Sequence, residues 1–298
     1  MTIARSDLFI RDPFVIPLPA QGQYLLIGTT DRTCWGGTPT GFDCYFSRDL
    51  ETFSDPIPAF RPPTGFWATE QFWAPEAHYW HGRWYLFASF HAPGKHRGTQ
   101  IMVADQPQGP YAPISEYPIT PAEWECLDGT FHVDEHGKPW LIFCHEWVQI
   151  GDGTVCAMPL SDDLARALAP PRVLFAASSA TWGVESKGKD SIVGRVTDGP
   201  FLHRLASGTL VMLWSTACAT GYALAVARST GGLLDTWVQQ DRPLFGEDGG
   251  HGMLFRTLAT PGKPGQLRLT IHRPNGPAGA ERPIFLAVRE TAKGLTLG

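Results

Sequence analysis

The sequence predicts an all-β fold, a five-bladed β-propeller with antiparallel blades around a central channel. Three observations predict it: the composition, a hairpin pattern that occurs five times, and a further strand after each occurrence. Of the 298 residues only 18% are charged, whereas 32 Gly, 26 Pro and 11 Trp are many for this length. This balance favours short strands and turns over long solvated helices.

The five hairpin patterns share one order: a polar or Pro-Glu head, a short apolar run, a glycine-bearing turn and a dense apolar strand. They read "IRDPFVIPLPAQGQYLLIGTT" (10–30), "WAPEAHYWHGRWYLFASF" (73–90), "LDGTFHVDEHGKPWLIFCHEW" (127–147), "TDGPFLHRLASGTLVMLWST" (197–216) and "GHGMLFRTLATPGKPGQLRLTIHRP" (250–274). The predicted turn glycines are Gly22, Gly82, Gly137, Gly208 and Gly265. Their unequal spacing excludes a strict solenoid.

Each hairpin is followed by one more strand that closes in a turn. These strands lie in residues 41–53, 99–111, 153–164, 221–237 and 282–294. Three to four strands in each of five units are typical of a propeller. A sandwich or barrel with accidental repeats is less favoured, because hairpin and following strand recur together. No linker divides the chain, and we expect one domain over residues 1–298.

Several classes of function are disfavoured by charge and hydropathy. The net charge is −5 and no Lys/Arg cluster is present, so no nucleic-acid surface is expected. Neither a signal-peptide run nor a bilayer-length apolar segment occurs, which predicts a cytoplasmic protein without a membrane partner. The six cysteines form no C-x-x-C pair and are expected to be buried small hydrophobic residues. The oligomeric state is left open.

Polar residues at the heads of the five inner strands are expected to converge on the channel. They are Asp12, Glu76 in a Pro-Glu pair, Asp128, Asp198 and His251. Carboxyls brought close raise one another's pKa, so that one can stay protonated while another is ionised. That pair suits glycosidic bond cleavage, whereas the same oxygens can instead hold a hard cation. Capping of local turns is the structural alternative for each acid alone.

Aromatic side chains near the strand ends are the second sign of a sugar site, because their flat faces stack on the C–H faces of sugar rings. The candidates are Trp35 in "CWGG", Trp73 in "FWATEQFW" and Trp147 in "CHEWVQ". Packing between blades is the alternative for each of them.

Together, "RDPFV", "WAPEAHYWHGRWYLF", "LDGTFHVDEHGKPWLIF", "TDGPFLHR" and "GGHGMLFR" resemble the five-bladed propeller glycosidases of glycoside hydrolase family 43. The resemblance implies that Asp12 is the general base and that Asp128 holds the pKa and orientation of the general acid. The acid of the family lies in a Glu-Gly-Pro motif, whereas this chain has Asp198. Since Asp is one methylene shorter than Glu, Glu146 is the leading substitute for the acid, and Glu76 and Glu185 are weaker ones.

The resemblance also places a calcium or other ion, Na⁺ or Mg²⁺ included, near His251, held mostly through waters. Arg282 is expected to pair with the acids and to contact substrate, and the chemistry itself requires no cofactor. The implied function is an exo-acting, inverting glycosidase that releases α-L-arabinofuranose or β-D-xylose from short oligosaccharides. A galactoside or fructoside-like substrate, a retaining or transfer route, and a non-catalytic sugar-binding propeller remain alternatives.

Overall fold

The structure is a computed structural model that describes residues 2–188, 191–292 and 294–298. Five four-stranded antiparallel sheets follow one another along the chain and form the blades of a propeller. The predicted fold is therefore confirmed. In the described residues no helix is long and apolar enough to cross a membrane, and all six cysteines are free thiols.

The strands are numbered in chain order. Two minor strands, β1 (Ile3–Ala4) and β5 (Thr52–Phe53), pair with each other outside the first blade. Blade one contains β2 (Arg11–Leu18), β3 (Gln23–Thr29), β4 (Phe42–Ser47) and β6 (Ile57–Phe60). Blade two contains β7 (Glu70–Trp80), β8 (Arg83–Ala92), β9 (Lys95–Ala104) and β10 (Ala112–Pro113), and blade three contains β11 (Cys126–Val133), β12 (Pro139–His145), β13 (Thr154–Pro159) and β14 (Arg172–Ala176).

Between blades three and four lies a small hairpin, β15 (Ser186–Lys187) with β16 (Val193–Gly194). Blade four contains β17 (Asp198–Arg204), β18 (Leu210–Cys218), β19 (Gly221–Ser229) and β20 (Trp237–Gln239), and blade five contains β21 (Gly250–Arg256), β22 (Leu267–Arg273), β23 (Arg282–Thr291) and β24 (Gly294–Leu297). The named helical elements of the described residues are α1 (Trp147–Ile150) and the 3-10 turns Pro19–Gln21 and Ala177–Ser179.

Turn geometry follows the sequence in four of the five hairpins. Gly22, Gly82, Gly137 and Gly208 adopt positive φ, which a residue without Cβ does at no steric cost. The fifth differs: the loop between β21 and β22 is longer, and its tip is Gly262, with φ of 77°, rather than Gly265. There Thr260 and Lys263 exchange backbone hydrogen bonds across the turn.

The hydrophobic core lies between neighbouring blades rather than at the axis. One cluster joins blades one and two, and others join blades two and three, three and four, and four and five. The second strand of each blade is covered on both faces. For this reason it reads as a nearly continuous apolar run, for example Leu25–Ile27 or Leu141–Cys144.

A β-bulge interrupts the head of every inner strand. The pairing of β2, β7, β11, β17 and β21 with its neighbour shifts register at this point in all five blades. One residue of each bulge has left-handed backbone geometry: Asp12 (φ 50°), Ala74 (48°), Asp128 (56°), Gly199 (50°) and His251 (51°). Because such bulges re-aim side chains, they decide what faces the channel.

The preceding blade holds most of these bulges in place. Four left-handed residues donate their backbone N–H to a side chain on the second strand of the blade before: Ala74 to Thr29 Oγ1 (2.8 Å), Asp128 to Ser89 Oγ (2.8 Å), His251 to Ser215 Oγ (2.8 Å) and Asp12 to His272 Nδ1 (3.2 Å). In blade three the equivalent position is Cys144, a weak acceptor. Gly199 N–H turns instead to Asp128 Oδ2, at 2.9 Å.

Blades one and five close the ring without sharing a strand. A buried ion pair spans this junction: Arg11 Nη1 lies 2.7 Å from Glu281 Oε1. Arg11 also donates to the backbone oxygen and to Oδ1 of Asn275, at 2.9 and 3.0 Å. A buried charge left without its partner is costly, so closure depends on this pair.

We predict that Glu281→Gln lowers the free energy of unfolding by about 3–5 kcal/mol, because the buried guanidinium of Arg11 loses its counter-charge. Denaturant unfolding followed by tryptophan fluorescence measures the loss. Glu51→Gln is the matched control, since Glu51 and Arg5 form an exposed pair at 3.1 Å and its loss costs less than about 1 kcal/mol. Equal losses in the two variants would contradict the prediction.

Candidate active site

Three predicted residues meet at the mouth of the channel. His251 directs Nδ1 at two carboxylates, 3.2 Å from Asp12 Oδ1 and 3.6 Å from Asp128 Oδ2. All three side chains are buried and come from blades five, one and three. The structure thus brings together residues that are more than a hundred positions apart.

Asp12 is held as an ionised carboxylate. Thr29 Oγ1 donates to its Oδ2 at 2.7 Å, and Arg11 is its chain neighbour. Burial by itself raises the pKa of Asp12, but the interactions with His251 and Arg11 lower it, to about 2. The carboxylate is therefore ready to accept a proton throughout the neutral range.

His272 packs behind Asp12 as a neutral imidazole. Its Nδ1 accepts the Asp12 backbone N–H, and its Nε2 lies 3.0 Å from Asn275 Oδ1, which makes Nε2 the protonated nitrogen. Burial, together with the nearby charge of Arg11, lowers the pKa of His272 to about 3. The sequence indicates His272 only as a histidine near the end of the apolar strand "LRLTIHR". In the sheet it pairs with Gly250, next to the bulge of blade five.

Asp128 lies near two other acids, Asp12 and Asp198. Burial and the charge of Asp12 raise its pKa well above the ordinary value, and the hydrogen bond from Gly199 N–H opposes the rise. That bond exists because Cys144 offers the bulge of blade four no strong acceptor. The backbone of blade four is thereby tied to the carboxylate of blade three.

Asp198 occupies a different register from Asp12 and Asp128. It precedes the left-handed residue Gly199, whereas the other two are themselves left-handed. Tyr222 donates its hydroxyl to Asp198 Oδ2 at 3.0 Å. Burial and the charge of Asp128 raise the pKa of Asp198 to about 8, so this carboxyl carries a proton at neutral pH.

These groups open into a cavity of about 720 Å³ that is lined by residues from all five blades. Trp35 and Trp73 form one wall, packed edge to face with ring centroids 5.1 Å apart. Trp73 is fixed by a 2.7 Å bond from Nε1 to the oxygen of Cys34, whereas 52% of Trp35 is exposed. The Arg11 guanidinium lies 4.8 Å from the Trp35 ring centroid.

Trp147 lines the cavity from α1, but most of its ring is covered. Gly188, which follows β15, and Gly194, the last residue of β16, lie so close to the ring that a Cβ on either would fall within 3 Å of it. Two glycines thus let this hairpin pack on Trp147. The indole contributes mainly an edge of the cavity wall.

Glu146 also lines the cavity and forms a buried ion pair with Arg97 of blade two. Arg97 donates as well to Gln71 Oε1 at 2.5 Å and stacks on Trp73, with its guanidinium carbon 4.2 Å from the ring centroid. The pKa of Glu146 is raised above its ordinary value, because burial raises it more than the Arg97 guanidinium lowers it. In this position Glu146 anchors the arginine that supports the Trp73 wall.

Two other predicted substrate-binding residues do not line this cavity. Glu76 lies deeper in the channel, where it accepts hydrogen bonds from Thr130 Oγ1 at 2.5 Å and His78 Nε2 at 3.1 Å. Arg282 donates to the backbone oxygens of Ser6, Gly279 and Glu281 rather than to the acids. Glu76 lies past the bulge on β7, and Arg282 is the first residue of β23, so each forms its hydrogen bonds outside the carboxyl cavity.

An ion held directly by the protein does not fit these residues. In the ranges that the structure describes, no three His, Cys, Asp or Glu side chains are placed to share one metal ion. The Nδ1 of His251 is occupied by Asp12 and Asp128. The expected calcium therefore stays a prediction, and it would have to be held mainly through water.

Sequence reasoning missed several residues of the cavity wall. Arg11, Gln71, Tyr222, Asp248 and Asn275 all line it. Arg11 was visible as the neighbour of Asp12 in "RDPFV", whereas the others lie at loop or strand ends that no local pattern marks.

The cavity contains two carboxyls with different pKa values: that of Asp12 is lowered and that of Asp198 is raised. Environments that separate two pKa values in this way assign one group as base and the other as acid. The arrangement is suited to hydrolysis at a sugar acetal.

We predict that Tyr222→Phe raises the pKa of Asp198 above its value of about 8, because the hydroxyl that stabilises the ionised form is lost. Titration of ¹³C-labelled aspartate carboxyls by NMR measures the change. The Asp198 resonance is assigned by its absence in Asp198→Asn. An unchanged or lower midpoint in Tyr222→Phe would show that the hydroxyl does not act on this carboxyl.

Comparison with known proteins is consistent with this geometry. Residues 6–257 match the family Glycosyl hydrolases family 43. No match was found among curated proteins. Among solved structures, an endo-arabinase from Bacteroides thetaiotaomicron is 36% identical, with a TM-score of 0.88 and 98% of each chain covered.

Two more distant structures share the fold. An endo-1,4-beta-xylanase from Bacteroides thetaiotaomicron is 22% identical, with a TM-score of 0.75 and coverage of 100% of this chain and 97% of the other. An alpha-L-arabinofuranosidase from Lactobacillus brevis is 17% identical, with a TM-score of 0.74 and coverage of 99% and 94%. With the family match over most of its length and the 36% identical relative, the chain belongs to glycoside hydrolase family 43.

Proposed function

We propose that this glycoside hydrolase releases α-L-arabinofuranose from the ends of short oligosaccharides, with inversion of the anomeric centre. The observation that carries the proposal is the pair of buried carboxyls in one cavity, Asp12 with a pKa of about 2 and Asp198 with a pKa of about 8. At neutral pH the first is a base and the second an acid. Arabinose is favoured over xylose because the endo-arabinase is 36% identical, whereas the xylanase shares only the fold.

In this mechanism Asp198 gives its proton to the glycosidic oxygen as the bond from that oxygen to the anomeric carbon breaks. Asp12 removes a proton from a water molecule that attacks the anomeric carbon from the opposite face. Asp128 accepts the Gly199 N–H through Oδ2 and thereby fixes the strand head that carries Asp198. This reaction requires a general acid with a raised pKa and a general base with a lowered pKa.

Asp198 is a better acid than Glu146. Glu146 is engaged by Arg97 in a buried ion pair, and a carboxylate with a fixed counter-charge is a poor proton donor. Within the part of the chain that the structure describes, the Asp198 carboxyl forms no ion pair with Lys or Arg, and the Tyr222 hydroxyl is its hydrogen-bond donor. The shorter side chain starts one residue before the left-handed position, from which it reaches the same cavity.

Attack at a chain end is supported by the shape of the cavity. Every blade contributes to its wall, and Ser186, Lys187 and Gly188 add to it from the β15–β16 hairpin. A pocket walled by all five blades suits a terminal sugar better than the middle of a polymer. The cytoplasmic location expected from sequence would likewise favour short, imported substrates.

The test of the two roles uses leaving groups of different quality. In Asp198→Asn we expect kcat/KM to fall by about 10²–10⁴-fold on an arabino-oligosaccharide, whose leaving group needs a proton. On 4-nitrophenyl α-L-arabinofuranoside, whose leaving group departs unprotonated, the fall is less than about 10-fold. In Asp12→Asn both substrates lose activity alike, because water activation serves both. Circular dichroism checks that the variants are folded.

Glu146→Gln is the control for the acid. It is expected to change kcat/KM by the same factor on both substrates, since loss of the Arg97 anchor disturbs the wall and not the proton transfer. A loss in Glu146→Gln that is confined to the oligosaccharide would transfer the acid role to Glu146. Full activity of Asp12→Asn on both substrates would overturn the proposed function.

The mode of attack and the stereochemistry are read from the first products. With a linear arabino-oligosaccharide labelled at its reducing end, we expect arabinose and a chain one unit shorter as the earliest products. Proton NMR during the first minutes should show the β-anomer of arabinose before mutarotation. Early release of internal fragments would contradict the exo mode, and an initial α-anomer would contradict inversion. A xyloside of the same length tests the sugar preference.

A further inference from the structure

A second sugar-sized surface lies beside the active site, on the loops of blade two. Two adjoining depressions of about 440 and 450 Å³ share three residues, Trp67, Lys95 and Tyr117. We call these three residues the blade-two platform. They are not part of the cavity that holds the carboxyls.

The platform is on the same face of the propeller as the carboxyls. Trp67 precedes β7, whose first residues lead into the blade-two bulge, and Lys95 begins β9 after the turn from β8. Both therefore lie at the end of the blade that carries the strand heads. Tyr117 returns to this end in the loop after β10, where Pro118 lies against Gly98.

Arg97 forms a wall between platform and active site. It lines the depression that contains Trp67 and Tyr117, and its guanidinium binds Glu146 and Gln71 of the central cavity. Its buried Nε has no hydrogen-bond acceptor in the described protein. A substrate that leaves the cavity on this side would meet the platform next.

The chemistry of the platform suits a sugar ring. Tyr117 is 51% exposed, and Trp67 is held by a 2.5 Å hydrogen bond from Nε1 to Gln100 Oε1. The Lys95 ammonium lies 4.9 Å from the Tyr117 ring centroid and 5.9 Å from that of Trp67. Aromatic faces with an ammonium donor beside them can stack on a furanose ring and bind its hydroxyls.

We propose that the blade-two platform binds a sugar residue of the substrate chain on the leaving-group side, beyond the residues that occupy the central cavity. This inference rests on the proposed exo mode, because an enzyme that takes in a chain end must let the rest of the chain leave the cavity. The platform then gives a preference for longer oligosaccharides. Its ligand is a neutral arabinofuranosyl unit, not an ion or a protein.

Binding without turnover tests the platform directly. In an Asp198→Asn background, the affinity for linear arabino-oligosaccharides of two to six units is measured by isothermal titration calorimetry. Adding Tyr117→Ala is expected to raise Kd for the longer chains by about 5- to 10-fold, the contribution of one stacked aromatic face. Kd for the shortest chain is expected to stay the same. In otherwise native enzyme, Tyr117→Ala should leave hydrolysis of the aryl arabinofuranoside unchanged.

Tyr79→Ala is the matched control, since Tyr79 is 60% exposed and lies towards the opposite end of β7. It should change neither the affinity nor its dependence on chain length. Affinities that do not respond to Tyr117→Ala at any length would overturn the platform even if hydrolysis proceeds as proposed. A length-dependent loss of affinity in a protein that hydrolyses no arabinoside would support the platform and overturn the proposed function.

Discussion

The left-handed bulge at the head of each inner strand is the constraint on which the active site depends. A non-glycine residue in this conformation costs of the order of 1–3 kcal/mol, and it persists because the neighbouring structure fixes it. Here the preceding blade supplies that support through a hydrogen bond to the bulge N–H. At Asp12, Asp128 and His251 the same bond that holds the backbone also directs the side chain into the channel. The packing of one blade on the next therefore also positions these polar side chains.

The same scaffold separates the pKa values of similar carboxyls. Asp12 and Asp198 are both buried, which alone raises the pKa of each. Asp12 has His251 and Arg11 beside it and stays ionised, whereas the buried Asp198 carboxyl has a neutral hydroxyl, that of Tyr222, as its hydrogen-bond donor and keeps its proton. The exception at Cys144 contributes, because it frees Gly199 N–H to bind Asp128. Because Cys144 is a weaker acceptor than its counterparts in the other blades, the bulge of blade four is hydrogen-bonded to the Asp128 carboxylate of the site.

Ring closure and the proposed catalysis use adjacent residues. Arg11 joins blade one to blade five through Glu281 and Asn275, and the next residue along the chain is Asp12. His272 of blade five accepts the backbone N–H of that aspartate. A propeller closed without a shared strand needs strong contacts at this junction, and they lie where they also fix Asp12, the proposed general base. A change that opens the ring between blades one and five is therefore expected to displace Asp12 as well.

Local patterns in the sequence determined the five blades, the four bulge-side candidates Asp12, Asp128, Asp198 and His251, and the aromatic wall of Trp35 and Trp73, because hairpin periodicity and head residues repeat along the chain. Only the tertiary structure decided which residues share the cavity. It placed Glu76 below the site, turned Arg282 to backbone oxygens and paired Glu146 with Arg97, since each outcome depends on a partner from a distant segment. It also added His272 and Tyr222, whose effect on the pKa values comes from burial and contact. Spacing along the chain carries no such information, because pKa values and cavities are properties of the groups that folding brings together.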